Sequence, residues 1–139
     1  MDRPAPEKPD VILRVPADGA YVSVLRTMTA GLAARLDFTV DDIEDLRIAV
    51  GEACALVLPE ATSGGDLQAE FRLRPGTLSV SVSVPSNGST TPDRESFAWQ
   101  VLSTLATSTQ ATAEDDRYQV TFVTESSLPP AEGRTGALR

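Results

Sequence analysis

The feature that most constrains the fold is the segment at residues 77–84, which reads Thr-Leu-Ser-Val-Ser-Val-Ser-Val. Apolar side chains alternate strictly with small hydroxyl side chains along it. Because successive side chains of a β-strand point to opposite faces, this pattern predicts a strand with one buried face and one polar face. A sheet built on such a strand needs a second layer over its apolar face.

Segments with helical spacing supply that layer. Residues 20–36 carry apolar side chains at intervals of three and four, which predicts an amphipathic helix with Asp18 as its cap. A second helix is predicted from a cap at Thr39 to about residue 58, where Pro59 ends it. Residues 94–105 predict a shorter third helix.

The remaining apolar segments predict further strands at residues 11–15, 67–73 and 118–123. Between the two central strands, Pro75 and Gly76 occupy the positions that a type II turn favours. The order of elements predicts an α+β fold, a two-layer sandwich in which helices cover one face of a mixed, mostly antiparallel sheet. We expect the domain at residues 11–125, with flexible tails at 1–10 and 126–139.

Composition excludes several classes of function. The chain of 139 residues has no histidine, which removes the commonest general base and metal ligand, and we expect no metal site. Its net charge of -8, with basic residues scattered along the chain, argues against direct nucleic-acid binding and suits a basic protein partner. Without a signal peptide or a long apolar run, we expect a cytoplasmic protein with no membrane segment.

Three other features allow more than one interpretation. Cys54, the only cysteine, lies on the apolar stripe of the second helix and is predicted to be a buried hydrophobe rather than a reactive thiol. The acidic residues at 41–45 are interpreted either as a partner-facing patch or as ordinary acids at a helix start. Trp99 is either an interface anchor or part of the core.

A family resemblance rests on residues 26–39, RTMTAGLAARLDFT, followed by DDIEDLRIAVGEA at residues 41–53. This helix pair, with the strand order behind it, resembles the anti-sigma factor serine kinases of the RsbW and SpoIIAB type, which belong to the GHKL ATPase superfamily. The resemblance covers nearly the whole domain and implies the same fold. In that family the second helix continues Glu-Ala-x-x-Asn-Ala: the Glu orients or deprotonates the attacking hydroxyl, and the Asn binds the magnesium that bridges the ATP phosphates.

The resemblance implies that Glu52 is the candidate catalytic base. One helical turn further on, at the magnesium-ligand position, stands Leu56, whose side chain has no lone pair to offer. Ile48, Glu52 and Leu56 also lie roughly opposite the core stripe of the helix. We therefore interpret Glu52 as the remnant of a catalytic base.

The other nucleotide motifs of the family are also incomplete. The family has an Asp-x-Gly-x-Gly box after the third strand, in which the Asp reads the adenine. The corresponding loop, from Ser86 to Thr90, matches only at Gly88 and lacks that Asp. No further glycine occurs before Gly133, and residues 97–99 stand where glycines that open the third helix are expected. We expect a pseudokinase that binds neither ATP nor magnesium.

Arg26 is the candidate partner-binding residue. It stands eleven residues before Asp37, the interval at which an Arg of the family contacts both the sigma factor and its competitor; the alternative is a solvated surface Arg. The resemblance thus implies an anti-sigma factor that sequesters an alternative sigma factor and is antagonised by a STAS-type anti-anti-sigma factor. It also implies a homodimer formed through a sheet edge.

Two alternative functions stay open at this point, and so does whether the chain is an enzyme. The first is an active serine/threonine protein kinase that phosphorylates the anti-anti-sigma factor and uses ATP and magnesium in an unconventional site. The second is a small-ligand-sensing module on the same fold, in which the vacated pocket takes another molecule.

Overall fold

The computed structural model describes residues 8–87 and 91–128. Across them, five strands form one sheet: β1 (Val11–Pro16), β2 (Asp66–Arg74), β3 (Thr77–Pro85), β4 (Ser108–Glu114) and β5 (Arg117–Glu125). The spatial order is β1-β2-β3-β5-β4, and every pairing is antiparallel. Helices α1 (Val22–Arg35), α2 (Val40–Val57) and α3 (Phe97–Leu105) cover one face. The predicted two-layer α+β fold is confirmed.

The alternating strand, β3, lies at the centre of the sheet. Its apolar side chains are at most 1% exposed, and the register sets Val80 opposite Phe122 and Val82 opposite Val120. On the hydroxyl face of β3, Ser81 and Ser83 are buried, whereas Thr77 and Ser79 are half-buried. The hydroxyl oxygens of Ser81 and Thr121 lie 2.8 Å apart. The polar face is therefore covered at Ser81 and Ser83 and partly open at Thr77 and Ser79.

Turn chemistry explains one hairpin that was predicted and one that was missed. Gly76 has a φ of 75°, as the predicted type II turn between β2 and β3 requires. Strand β4 was not predicted, because its sequence, STQATAE, has few strongly strand-forming side chains. Its hairpin with β5 turns through Asp115 and Asp116, both with a φ of 57°, where the usual signal would be Asn-Gly.

The helix caps are close to those predicted. Asp18 accepts a 2.9 Å hydrogen bond from the Ala20 N–H and starts a short 3-10 turn that leads into α1. At the start of α2, Thr39 and Asp42 form a reciprocal capping box. Helix α3 begins three residues later than predicted, because Ser96 caps it by accepting a 3.2 Å hydrogen bond from the backbone N–H of Trp99.

Helix α2 is the centre of the helical layer and contacts α1, α3 and the sheet. One side of α2 is almost completely buried, and each large side chain there contributes about 1.5–3 kcal/mol through removal of its surface from water. The residues on that side are Leu46, Ala49, Val50, Ala53, Cys54 and Val57. Within the two described ranges, no helix combines the length and the apolar character needed to cross a membrane.

Residues at both predicted domain boundaries form backbone hydrogen bonds with residues of the domain. The Asp10 N–H donates to the Phe71 carbonyl at 2.8 Å, and the Ser126 N–H donates to the Gly76 carbonyl at 2.8 Å. The greater part of each predicted tail, residues 1–7 and 129–139, lies outside the described residues.

Candidate functional site

The face of α2 that carries Glu52 is turned away from the core. Ile48 is 48% exposed, whereas Glu52 and Leu56 are half-buried. Leu56 packs against the edge of the hydrophobic core. Position 56 therefore adds an apolar surface one turn beyond the Glu52 carboxylate, and it adds no oxygen ligand.

Arg26 reaches this region from α1. Its side chain is half-buried and lies against α2 at Gly51, the residue before Glu52. A Cβ at position 51 would lie 2.6 Å from Arg26 Nη2, which is closer than real Cβ atoms come to their neighbours, and 3.2 Å from Nε. Only a glycine leaves room for the guanidinium in this position.

No hydrogen bond or ion pair joins Arg26 to Glu52 within the part of the chain that the structure describes. Arg26 therefore contacts α2 at the residue next to Glu52 without bonding to Glu52. The role of Gly51 in this contact was missed by sequence reasoning. An isolated glycine inside a helical pattern was the available signal, because glycine costs helix stability unless packing requires it.

Cys54 is buried on the opposite side of α2, with 1% of its surface exposed. Burial raises the pKa of its thiol to about 12, although the positive charge of Arg26 acts in the other direction. At neutral pH the thiol is therefore protonated and shielded. The interpretation of Cys54 as a buried hydrophobe is confirmed in its placement.

The loop that follows β3 is anchored at its base. The Thr62 N–H donates to the Pro85 carbonyl at 2.9 Å, and the Ser86 N–H donates to the Asp116 carbonyl at 2.9 Å. Ser86 is buried and Asn87 is exposed. Gly88 is the residual match to the family's nucleotide box. It lies outside the described residues, as do Ser89 and Thr90.

The start of α3 carries two aromatic residues with opposite environments. Phe97 is 79% exposed, whereas Trp99 is 8% exposed and belongs to the core. The Arg94 guanidinium lies 5.2 Å from the centroid of the Trp99 ring, a cation–π distance. Of the two interpretations of Trp99, the structure supports core packing.

The acidic residues at the start of α2 also differ in their environments. Asp41, Glu44 and Asp45 are exposed, but the Asp42 carboxylate has structural partners. Asp42 Oδ2 accepts hydrogen bonds from the Thr39 N–H and from both the N–H and the hydroxyl of Ser127, the last two at 3.0 Å. Burial raises the pKa of Asp42, but these hydrogen bonds outweigh it and hold the pKa below its ordinary value of 3.8.

Sequence reasoning missed the contact with Ser127 because that residue was assigned to a tail.

Among the described residues, no group of three or more carboxylate or thiol side chains is arranged to hold a metal ion.

Comparisons with known proteins identify the fold in two steps. No protein-family model matches the chain. A crystal structure of the RsbU and RsbW domains of Rv1364c from Mycobacterium tuberculosis superposes with a TM-score of 0.65 over 87% of this chain and 34% of that one, at 16% identity. That likeness shows the class of fold, the two-layer α+β sandwich described above.

The second step comes from sequence. The "Serine-protein kinase RsbW" of Halalkalibacterium halodurans is 40% identical over 77 residues, which is 54% of this chain and 48% of the relative. The protein of the same name from Bacillus velezensis is 37% identical over 73 residues, 50% of this chain and 46% of the relative. The chain thus spans about half the length of these curated relatives, and it has an RsbW-type GHKL fold.

Proposed function

We propose that this protein is an anti-sigma factor that sequesters an alternative sigma factor without using ATP. The observation that carries the proposal is the outward face of α2, where Glu52 is followed one turn later by Leu56, packed against the core. A magnesium–phosphate site needs oxygen ligands, and the Leu56 side chain supplies none. Sequestration needs only a complementary surface, so it survives the loss of the phosphoryl-transfer site.

The partner surface in this proposal is the outer side of α1. Arg26 is held on α2 by the space at Gly51, so part of its conformational entropy is already lost before binding. Tyr21, which immediately precedes α1, and Val24 on α1 are 39% and 43% exposed. Val24 is two residues from Arg26 and points to a different side of the helix. Arginine and tyrosine are among the residue types that binding hot spots favour.

Release of the sigma factor follows from competition. In this proposal a STAS-type anti-anti-sigma factor binds contacts that overlap those of the sigma factor, and mass action decides which complex forms. The protein acts in the cytoplasm as a homodimer formed through a sheet edge. The free edges of the described sheet are β1 and β4.

The test is a binding titration against the alternative sigma factors of the source organism, with Arg26→Glu and Arg117→Glu as matched variants. Both change the charge by the same amount, but Arg117 lies on β5, an interior strand of the sheet, and donates to the Ser83 hydroxyl at 2.9 Å. We expect Arg26→Glu to weaken sigma-factor binding at least tenfold and Arg117→Glu to change it less than twofold. The proposal is abandoned if no sigma factor binds and the two variants behave like the parent protein.

A second candidate is an active serine kinase, and the observation that favours it is the name of the relatives together with the retained Glu52. Calorimetric titration with magnesium–ATP separates the two candidates, because a kinase must bind the nucleotide at micromolar to millimolar concentration. Leu56→Asn is the informative variant: it restores an oxygen ligand at the magnesium position. We expect no saturable heat from the parent protein; saturable binding by the parent favours the kinase.

A further inference from the structure

A cavity of about 550 Å³ lies at the end of the molecule where α1 ends, β1 begins and the β2–β3 hairpin turns. Its volume is in the range of small-molecule sites. Strand β3 runs from this end to Pro85, just before Ser86 and Asn87, and its nine residues span roughly 26 Å. The cavity is therefore distinct from the region where the family resemblance implies a nucleotide.

The floor of the cavity is apolar. Val11, Leu32, Leu36 and Leu73 line it, and all four are half-buried side chains that pack against the core. These side chains come from β1, α1 and β2, so the floor is formed by three elements that the core already holds in place. Filling the cavity with an apolar group would remove this surface from water without rearranging the fold.

The rim of the cavity carries balanced charge. Arg35 and Arg74 offset Asp10 and Asp37. Asp10 is engaged, since its Oδ2 accepts a 2.7 Å hydrogen bond from the Leu73 N–H, and both Asp37 and Arg74 make interactions of their own. Arg35, in the last turn of α1, is exposed and has no hydrogen-bond or ion-pair partner within residues 8–87 and 91–128.

We propose that this cavity binds an amphiphilic monoanion, an aliphatic carboxylate whose chain occupies the apolar floor and whose head group bonds to Arg35. A planar guanidinium binds a carboxylate through two parallel hydrogen bonds. A ligand with two or more negative charges is disfavoured, because Asp10 and Asp37 lie on the same rim. The inference goes beyond the proposed function, and its test needs no sigma factor.

The test uses sodium octanoate, below its critical micelle concentration, titrated into the isotopically labelled full chain and followed by amide chemical shifts. We expect saturable shifts centred on Leu36, Leu73 and Gly76. Hexanoate, octanoate and decanoate should differ in affinity by about fourfold for each added methylene, as burial of the chain requires. A second, shallower groove runs along α3 and is lined by Phe97 and Val101. Shifts centred on that groove, or affinities that do not depend on chain length, would overturn the proposal.

Matched variants test the head group and the cavity separately. We expect Arg35→Ala to weaken octanoate binding about tenfold, while Arg14→Ala, with the same loss of charge on the outer face of the sheet, changes it less than twofold. Val11→Phe fills the floor without changing charge and should weaken decanoate more than hexanoate. Unfolding temperatures confirm that each variant is folded. Equal losses in Arg35→Ala and Arg14→Ala would mean non-specific attraction and would reject the site.

Discussion

The two faces of α2 are under different constraints. The face toward the sheet is packed so closely that each of its six buried residues is at most 1% exposed. The opposite face leaves Ile48 48% exposed and Glu52 and Leu56 half-buried. Packing alone accounts for the first face. On the second face packing decides less, so the identities of Glu52 and Leu56 are more informative about function.

The largest expected difference between the faces is in thiol reactivity. Cys54 is buried and its pKa is raised to about 12, so at pH 8 its thiolate population is roughly 10³ lower than that of an ordinary cysteine. The matched control is the double variant Cys54→Ala with Ala55→Cys, which moves the thiol to the exposed next position. Ellman's reagent should react at least about 10³ times faster with the control, and equally with both proteins in urea. Comparable native rates would show that the core around Cys54 opens readily.

Truncation on the two faces should also differ. Leu46→Ala leaves a cavity on the buried face and should lower the free energy of unfolding by about 2–5 kcal/mol. Ile48→Ala removes a side chain that is already half in water and should cost less than about 1 kcal/mol. Urea unfolding of both variants measures the difference. Similar costs would mean that Ile48 is covered in solution, for example by a second copy of the chain.

The Asp42 carboxylate stabilises the start of α2. Asp42→Ala removes the bond from the Thr39 N–H to the Asp42 carboxylate, which is half of the capping box, and the contact with Ser127; it should lower stability by about 1–2 kcal/mol. Because the folded pKa of Asp42 is depressed, its contribution is complete above pH 3.8 and is lost as the pH falls through the lower folded pKa.

The cost of Asp42→Ala should therefore be constant from pH 8 to pH 5 and shrink in more acidic solution. Unfolding curves at several pH values measure it. A cost that grows toward acid pH would contradict the hydrogen bonds assigned to Asp42.

The smallest effect is expected where the two helices meet. Alanine is favoured over glycine in a helix by up to about 1 kcal/mol, but a Cβ at position 51 must displace the Arg26 guanidinium. We expect Gly51→Ala to be nearly neutral in the parent protein and to stabilise the Arg26→Ala variant by about 0.5–1 kcal/mol. A double-mutant cycle measures this coupling. Additive effects would show that the side chain of Arg26 does not rest on Gly51 in solution.

Sequence patterns predicted the parts of the fold whose signals are local. A few neighbouring residues are enough to predict each of three features: the strand from the alternation at Leu78 to Val84, the turn at Gly76 and the helix cap at Thr39. Strand β4 was missed because its stability comes from pairing with β5, and its turn uses two aspartates at positive φ instead of glycine. Pairing partners of this kind are non-local and leave little trace in a weakly patterned segment.

The contacts of the candidate site residues were not predicted from the sequence. The family resemblance identified Arg26, Glu52 and Leu56, yet nothing in their spacing indicated that Arg26 rests on Gly51. That contact depends on how α1 crosses α2, which is set by the packing of both helices on the sheet. The same holds for Ser127 and Asp42, which are distant in sequence and are brought together only by the fold.

The contact between Arg94 and Trp99 gives the molecule an optical reporter of its own. Trp99 is the only tryptophan, so all indole emission comes from the start of α3. Because a guanidinium lies 5.2 Å from that ring, any event that draws Arg94 away changes the electrostatic field at the indole and shifts its emission. A shift of this emission would therefore report a change at the start of α3 without an attached dye.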